Sequence, residues 1–443
     1  MATTEHSPQE NMRPGRKLPA EYAGRGSPGS DAAGAASLGT TAKFQATSSR
    51  KGFGASAVST VDKETGEIVT LKPSGRPLRD AVECRMERYA LQAVARLLLP
   101  SHRVAKCMRY VQKNKDGVEV WKSIEHGRAS YAGLQTCSSV AVCPICSAKI
   151  SERRRLELMQ LVAAHEAVNG VGSVIMVTRT IRHDRQDALQ ALVEGMTKAR
   201  ASYKGHRTYK ALMLAAGLVG TVNALEVTHG HANGWHPHEH ELLFLDHAPT
   251  ADERQALEEA LFPIWADAAE RCGLSRPSRE RGLVVSEEQS QVAAYVSKWG
   301  LESELTQWHR KNGRVDSRSP FDLLRSAQQS RGDDPQYRDG KLFQEYAAVF
   351  HGRHLLQFSR GLKAMYQVQE CSDEELANRK DDAAVLLGKL SLDDWRLVCT
   401  CGQRGTLLEA ANLGGWDQVE YLLFQLRNHQ HVFKQIPRAS LFG

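Results

Sequence analysis

The pattern of apolar and polar residues predicts folded structure from about Leu78 onward. Apolar residues recur at helical spacing over much of the chain, and glycine or proline interrupts the pattern at intervals. Helices are predicted at 78–99, 148–168, 184–218, 251–272 and 286–303, and over most of the chain after residue 340. The stretch 304–340 is polar and irregular, so it predicts no regular element.

Three strands are predicted among these helices. Residues 173–180 are rich in β-branched side chains, which are typical of strands. Residues 221–228 and 236–245 flank Asn233-Gly234, a dipeptide typical of hairpin turns. The sequence therefore predicts an α+β fold with a central antiparallel sheet and helices packed over it.

Composition narrows the class of protein. Hydrophobic residues make up 41% of the 443 positions, enough for a substantial core. No apolar run reaches the ~20 residues that a membrane helix needs, and no export signal is recognisable at the beginning. The nine cysteines are therefore expected as reduced thiols or metal ligands, and no membrane partner is expected.

Six of the 17 histidines fall within residues 229–247. Alternate side chains of a strand share a face, so His236, His238 and His240 are predicted to point the same way. Across the predicted hairpin, Glu226 falls opposite His238 or His240. Two imidazoles and a carboxylate suit a catalytic divalent cation such as Mg²⁺ or Mn²⁺, with Zn²⁺ as the chemical competitor.

The predicted helix at 286–303 has a polar face with a tyrosine one turn before a lysine. Ser286 and Gln289 have the spacing of a capping box, and Tyr295 and Lys298 then lie close together on that face. A neighbouring ammonium group favours a phenolate and neutralises charge on an attacked phosphate. Such a pair alone is more often a solvated helix face.

Four cysteines have the spacing of a structural zinc site. Cys143 and Cys146 form a CxxC pair, Cys137 lies six residues upstream, and Cys107 lies thirty residues further back. A Cys₄ zinc site is predicted, with buried free thiols as the alternative.

An ordered set of motifs resembles the plasmid rolling-circle replication initiators (Rep proteins) of the HUH endonuclease superfamily. The blocks cover roughly residues 80–430 and appear in the expected order. They are Cys143-Pro-Ile-Cys146, Val177-Thr-Arg-Thr-Ile-Arg-His183, Glu226-Val-Thr-His-Gly230, Asn233-Gly-Trp-His-Pro-His-Glu-His240, Ala294-Tyr-Val-Ser-Lys298 and Gly352-Arg-His-Leu-Leu-Gln-Phe-Ser-Arg-Gly-Leu362.

The resemblance implies a role for each matching position. His238 and His240 would be paired metal ligands, completed by Glu226 or His236. Tyr295 would attack a phosphodiester at the double-strand origin and form a 5′-phosphotyrosine, assisted by Lys298. Thr178 and Thr180 would support the site without reacting.

The resemblance also implies a bacterial cytoplasmic location and a set of partners. These are double- and single-stranded plasmid origin DNA, a host helicase and a single-strand-binding protein, with no small-molecule substrate. The function expected is nicking and religation of one strand to start rolling-circle replication, by a site-specific single-strand endonuclease. A single-tyrosine relaxase or transposase of the same superfamily, and a non-catalytic zinc-containing DNA-binding copy-number regulator, are the alternatives.

Two positions depart from the family pattern. The middle residue of the HxH triplet is usually apolar and is Glu239 here, predicted to project away from the metal face. A glutamate expected one turn before the tyrosine is Gln291, which cannot act as a base. Glu288, on the same face, is the candidate base for termination.

The predicted organisation has four parts. Residues 1–75, rich in glycine, alanine and serine, are predicted to be a disordered tail. Residues 76–150 form the zinc-bearing segment, 151–365 the catalytic domain and 366–443 a helical C-terminal region. Arg153, Arg154 and Arg155 begin the helix after the zinc segment and are candidate DNA contacts, with a solvated helix face as the equal alternative.

Overall fold

The structure is a computed structural model that describes residues 58–61, 68–71, 81–125, 127–286, 317–329, 337–378 and 383–429. The helices in these ranges are α1 (Ala81–Leu98), α2 (Pro144–Asn169), α3 (Leu189–Gly205), α4 (Arg207–Ala215), α5 (Ala251–Arg271), α6 (Pro320–Gln329), α7 (Tyr337–Val349), α8 (Leu362–Met365), α9 (Asp373–Asn378), α10 (Leu392–Thr400) and α11 (Arg404–Asn428). The strands are β1 (Val58–Val61), β2 (Ile68–Leu71), β3 (Val118–Ser123), β4 (Ala129–Ala132), β5 (Val174–Thr180), β6 (Leu218–Gly230), β7 (Gly234–Leu245), β8 (Leu283–Val285), β9 (Ser317–Arg318), β10 (Leu356–Phe358) and β11 (Ala384–Leu390).

The main sheet is antiparallel, with strand order β10-β6-β7-β5-β8, and β9 pairs with the far end of β6. The histidine strand β7 is therefore central, which confirms the predicted α+β class and antiparallel sheet. β6 and β7 are longer than predicted because the hairpin ladder continues up to a tight turn. At that turn Gly234 has φ +71°, and a Cβ there would come within 2.9 Å of the Arg185 backbone.

A second sheet joins distant parts of the chain. Its order is β11-β3-β4, so a strand near the C-terminal end pairs with a strand of the cysteine-bearing segment. The region predicted to be wholly helical thus contributes β11. Gly388 of β11 lets the Trp416 ring pack against the strand, since a Cβ would lie 2.3 Å from that ring. Pairing across more than 250 residues leaves no local signal in the sequence.

Two helix predictions are also corrected. The single helix expected at 184–218 is two helices, α3 and α4, divided at His206. The His206 Nδ1 accepts a hydrogen bond from the Thr208 backbone N–H, at 3.2 Å, and so caps α4. The stretch 304–340, expected to be irregular, contains α6 and the beginning of α7. Among the residues the structure describes, no helix is long and apolar enough to cross a lipid bilayer.

The two faces of the main sheet carry different chemistry. On one face, the half of the sheet far from the hairpin turn packs Val174, Met176, Leu242 and Phe244 into a cluster that includes Leu158 and Leu161 of α2. The histidines continue this face toward the turn, and we call it the histidine face. The opposite face packs against α3 and α5.

A buried ion-pair network lies on that opposite face. Arg179 of β5 is fully buried, and it pairs with Glu239 at 3.2 Å and with Glu241. It also donates to the Asn223 side chain of β6 at 3.0 Å. Burial alone would raise the pKa of the Glu241 carboxyl, but the charges of Arg179 and Lys204 lower it below its usual value. The network therefore links β5, β6 and β7 through side chains as well as backbone.

We expect Arg179→Ala to destabilise the protein by about 3–5 kcal/mol, because it leaves two buried carboxylates without their shared partner. Arg279→Ala is the matched control, since the Arg279–Glu258 pair is partly exposed and is worth at most ~1 kcal/mol. Urea unfolding at neutral pH measures both. Equal losses from the two variants would contradict this account of the network.

Candidate functional site

The register of three strands assembles the histidine site. Glu226 of β6 is the direct partner of His238 on β7, and Thr180 of β5 is its partner on the other side. Thr178 pairs in the same way with His240. Direct partners in an antiparallel ladder share a face, so both threonines and the carboxylate lie on the histidine face.

Three side chains of this face converge. The Glu226 Oε2 atom lies 3.2 Å from His238 Nε2 and 3.8 Å from His240 Nε2. One ligand atom from each of the three residues lies within 4.8 Å of the others. Neighbouring ligands held about 2.1 Å from a common ion are separated by roughly 3.0–3.4 Å, so this spacing fits a metal site.

Hydrogen bonds orient the imidazoles toward the carboxylate. His238 Nδ1 lies 3.4 Å from the His236 carbonyl oxygen, which can only accept, so Nδ1 carries the proton in that contact. The Nε2 atom of His238 then carries a lone pair on the side that faces Glu226, which is the arrangement two ligands of one cation require. His240 Nδ1 contacts the Thr178 hydroxyl at 2.9 Å, which directs its Nε2 the same way. Such outer contacts are typical of metal-ligating histidines.

His236 lies outside this group of three. Its Nδ1 contacts His183 Nε2 at 2.7 Å, and His183 Nδ1 contacts the Asn233 carbonyl oxygen at 2.9 Å. Of the two residues predicted to complete the ligand set, Glu226 is thus the one placed with His238 and His240. All three are partly exposed, so the site is accessible from solvent.

The four predicted cysteines also converge, in a closed cluster. Cys107 Sγ lies 3.4 Å from Cys146 Sγ and 3.6 Å from Cys143 Sγ, and Cys137 Sγ lies 3.7 Å from Cys146 Sγ. All four are buried, and none forms a disulfide. Sulfurs at ~2.3 Å from a tetrahedral zinc lie about 3.8 Å apart, so the cluster fits a structural zinc site.

Local backbone and electrostatics agree with that fit. Met108 and Ser138, which directly follow Cys107 and Cys137, are non-glycine residues with φ of +50° and +51°. Residues in such conformations usually persist where the surrounding structure requires them. Burial raises the pKa of the Cys143 thiol, whereas hydrogen bonds from the other three cysteines lower the pKa of Cys146.

The predicted tyrosine helix is not among the described residues. Tyr295, Lys298, Glu288 and Gln291 all fall between residues 286 and 317. Both flanks of this segment belong to the main sheet: Ser286 follows β8 and donates its N–H to the Met176 carbonyl oxygen at 2.8 Å, and Ser317 in β9 pairs with Gly230 of β6.

The three arginines predicted as DNA contacts make contacts within the chain. Arg153 donates to the Leu376 carbonyl oxygen, and Arg154 pairs with Glu157 and Asp373. Arg155 is buried and pairs with Glu152. Their guanidinium groups fasten α2 to α9 and to its own turns.

Other arginines border the histidine face. Arg182, Arg185 and Arg281 are exposed, and within the described ranges none of them pairs with a carboxylate. The Arg281 carbonyl oxygen accepts from the Thr180 hydroxyl at 2.6 Å, and the Arg185 backbone abuts Gly234. We call these three the rim arginines. Arg182 and Arg185 follow β5 within five residues, so their position near the end of that strand could be predicted from the sequence.

Comparison with known proteins identifies the segment that carries the histidine site and three of the four clustered cysteines. A family model described as "Replication protein" matches residues 130–260, which include α2, β5 and the hairpin. A protein named rep from Streptomyces lividans is 26% identical over 300 residues, covering 54% of this chain and 65% of that protein. Residues 130–260 are therefore similar to a replication-protein domain, and a longer part of the chain is similar to a Rep protein.

The matches to these relatives cover only part of each protein. The match spans slightly less than two thirds of the S. lividans protein. A neomycin resistance protein from Streptomyces cyanogenus is 27% identical over 143 residues, covering 27% of this chain and 32% of that protein. No solved structure gives a significant match. The similarity supports a role in plasmid replication, while the reaction has to be argued from the site.

For the histidine site, we expect His238→Ala to abolish high-affinity Mn²⁺ binding, and Thr178→Val to weaken it about 10–100-fold because the His240 ring loses its orienting contact. His247→Ala is the control, since His247 is exposed and pairs with Asp246 instead. Titration followed by Mn²⁺ electron paramagnetic resonance measures the affinities. Unchanged binding in His238→Ala would exclude this ligand set.

For the cysteine cluster, we expect about one zinc per chain by elemental analysis, as a closed Cys₄ site holds a single ion. Cys107→Ser should remove this zinc and lower the unfolding temperature. Cys272→Ser should leave both unchanged, because Cys272 lies outside the cluster. Purified protein with stable folding and no zinc would contradict the assignment.

Proposed function

We propose that this chain is a Rep protein that nicks and religates one DNA strand at a plasmid double-strand origin and so initiates rolling-circle replication. The observation that carries the proposal is the convergence of Glu226, His238 and His240 on an open sheet face inside the replication-protein segment. The reaction would be that of an HUH-type, single-tyrosine endonuclease.

Glu226, His238 and His240 would hold a divalent cation, with Mg²⁺ or Mn²⁺ preferred for a mixed nitrogen and oxygen site. A cation there would polarise the scissile phosphate and offset its negative charge. Thr178 keeps His240 in position, and the backbone of β7 keeps His238 in position. The Cys₄ cluster would hold zinc in a structural role, because its buried sulfurs leave no open coordination position.

Tyr295 is the proposed nucleophile, and the register permits it to reach the site. Val177 of β5 pairs with Val285 on one side and with Glu241 on the other. Val285 therefore lies two strand spacings, about 10 Å, from Glu241, which directly follows His240. Ten residues separate Val285 from Tyr295, and an extended chain of that length spans up to ~35 Å.

The proposed reaction is a transesterification. The Tyr295 phenol oxygen forms a bond to phosphorus while the bond from phosphorus to the 3′ oxygen breaks. The phenol loses its proton, the 3′ oxygen leaves as a hydroxyl after gaining one, and the 5′ phosphate stays on the tyrosine. Lys298 would offset charge at the phosphate. The reverse reaction religates the strand, so no energy source is required.

The rim arginines would bind phosphates of the strand on either side of the scissile bond. They are exposed and border the histidine face, and guanidinium groups bind phosphate oxygens through paired donors. Glu288 stays the proposed base for termination in place of Gln291. The proposed partners are origin DNA, a host helicase and a single-strand-binding protein.

The decisive test uses single-stranded oligonucleotides that tile the replicon carrying the gene, incubated with the full chain and Mn²⁺. We expect a covalent protein–DNA adduct on a denaturing gel, lost with EDTA and lost in Tyr295→Phe. Tyr421→Phe is the control, because Tyr421 is an exposed tyrosine on α11.

Three outcomes would overturn the proposal in whole or in part. An adduct that persists in Tyr295→Phe would assign the nucleophile elsewhere. DNA binding without any adduct would favour the non-catalytic regulator. A mapped nick in a transfer region or a transposon end would instead favour a relaxase or transposase.

A further inference from the structure

The segment around Cys107 has an unusual charge balance. Residues 101–115 contain five basic side chains and no carboxylate. Two of the five are occupied within the protein, since Arg109 donates to the Cys399 carbonyl oxygen and Lys115 pairs with Glu119. The other three are Arg103, Lys106 and Lys113.

These three side chains face solvent. Arg103, Lys106 and Lys113 are all exposed, and in the described part of the chain no carboxylate pairs with any of them. Tyr110, between Lys106 and Lys113, is also 52% exposed. We call Arg103, Lys106, Lys113 and Tyr110 the knuckle surface. Exposed cations with an interleaved aromatic ring are typical of nucleic-acid contact surfaces.

The backbone beneath the knuckle surface is fixed from several directions. The buried Gln92 side chain donates to the carbonyl oxygens of Val104 and Cys107, each at 3.0 Å. Arg404 of α11 donates to the Met108 carbonyl oxygen at 2.9 Å and to Gln92 Oε1 at 2.7 Å. The cations are therefore presented on a rigid support, which reduces the entropy lost when they bind a ligand.

The course of α2 places this surface at the histidine end of the main sheet. A short turn joins α2 to β5, so the two elements run in opposite directions. His165 of α2 is fixed beside the beginning of β5 by a 2.8 Å contact between its Nε2 and the Leu245 carbonyl oxygen. Cys146 lies 19 residues before His165, about 28 Å along the helix, while β5 extends about 23 Å in the same direction to Thr180.

We propose that the knuckle surface is a second DNA-binding site, which holds the phosphate backbone of duplex DNA beside the nicking site. This inference rests on the proposed function for the nicking site beside it, whereas phosphate binding by the three cations does not depend on that function. Three exposed cations without competing carboxylates recognise closely spaced phosphates. The duplex is favoured over a single strand because a rigid support holds the cations at fixed positions, and the phosphates of a duplex are also regularly spaced.

The alternative explanation for the charge is local. Four thiolates around one zinc carry a net charge of −2, and nearby cations offset it. In that case neutralising the knuckle surface would reduce zinc retention and leave DNA binding unchanged. The two explanations therefore predict different losses in one set of variants.

The test neutralises the surface in the full chain with Arg103→Gln, Lys106→Gln and Lys113→Gln combined. Each lost phosphate contact lowers the slope of log affinity against log salt by about 0.9, so the slope for a random 40-base-pair duplex should fall by roughly 2–3. Affinity near 0.15 M salt should fall about 10–100-fold. Zinc content and adduct formation on a short single-stranded oligonucleotide should not change.

The matched control combines Lys198→Gln, Arg207→Gln and Lys210→Gln, three exposed cations on α3 and α4. An equal loss of slope in the control would show a general charge effect and overturn the proposal. An unchanged slope in the knuckle variant, a loss confined to single strands, or a loss of zinc would overturn it as well.

Adduct formation tests the proposed function, and duplex affinity tests the knuckle surface. If the unmodified chain forms no adduct but the knuckle variant still loses duplex affinity, the nicking proposal is wrong and the knuckle surface stands. If the unmodified chain forms the adduct and the knuckle variant binds duplex normally, only the second site is wrong.

Discussion

The pairing register of β5, β6 and β7 is the constraint on which the candidate site depends. A shift by one residue would turn every histidine of β7 to the other face of the sheet. Arg179 opposes such a shift, because its guanidinium group meets Glu239 and Glu241 on one strand and Asn223 on another. A slipped strand would leave these charges buried without partners, at a cost of several kcal/mol.

This network also explains the unusual residue within the histidine triplet. Glu239 is almost fully buried between His238 and His240, yet it lies on the opposite face and pairs with Arg179 and Arg200. An apolar residue at position 239 would pack against the core, whereas the Glu239 carboxylate is buried there with two cationic partners. The chemistry of one face is thus held in place by charges on the other.

The two ligand clusters differ in the way expected for different roles. The cysteine cluster is buried and joins α2 to a segment that also contacts α11, so it fastens two parts of the chain. The histidine cluster is half exposed on a sheet. Because α2 begins at the cysteine cluster and packs Leu158 and Leu161 on the face of the sheet that carries the histidines, it joins the cysteine segment to that sheet.

Much of the site follows from local patterns. Strand alternation correctly predicts that His236, His238 and His240 share a face. The Asn-Gly turn signal predicts Glu226 opposite His238 or His240, and the observed partner is His238. The spacing of four cysteines predicts a cluster that the structure brings together. These inferences succeed because period-two geometry, a tight turn and ligand spacing are each determined within a few tens of residues.

Other features depend on contacts between distant residues. The choice of Glu226 over His236, the pairing of β11 with β3, and the internal use of Arg153, Arg154 and Arg155 all involve partners that no sequence period reveals. The sequence by itself determined which side chains each strand presents and in what order. Only the tertiary structure decided which of them meet, because the burial of charge and the packing of helices on the sheet select one arrangement among many with the same local pattern.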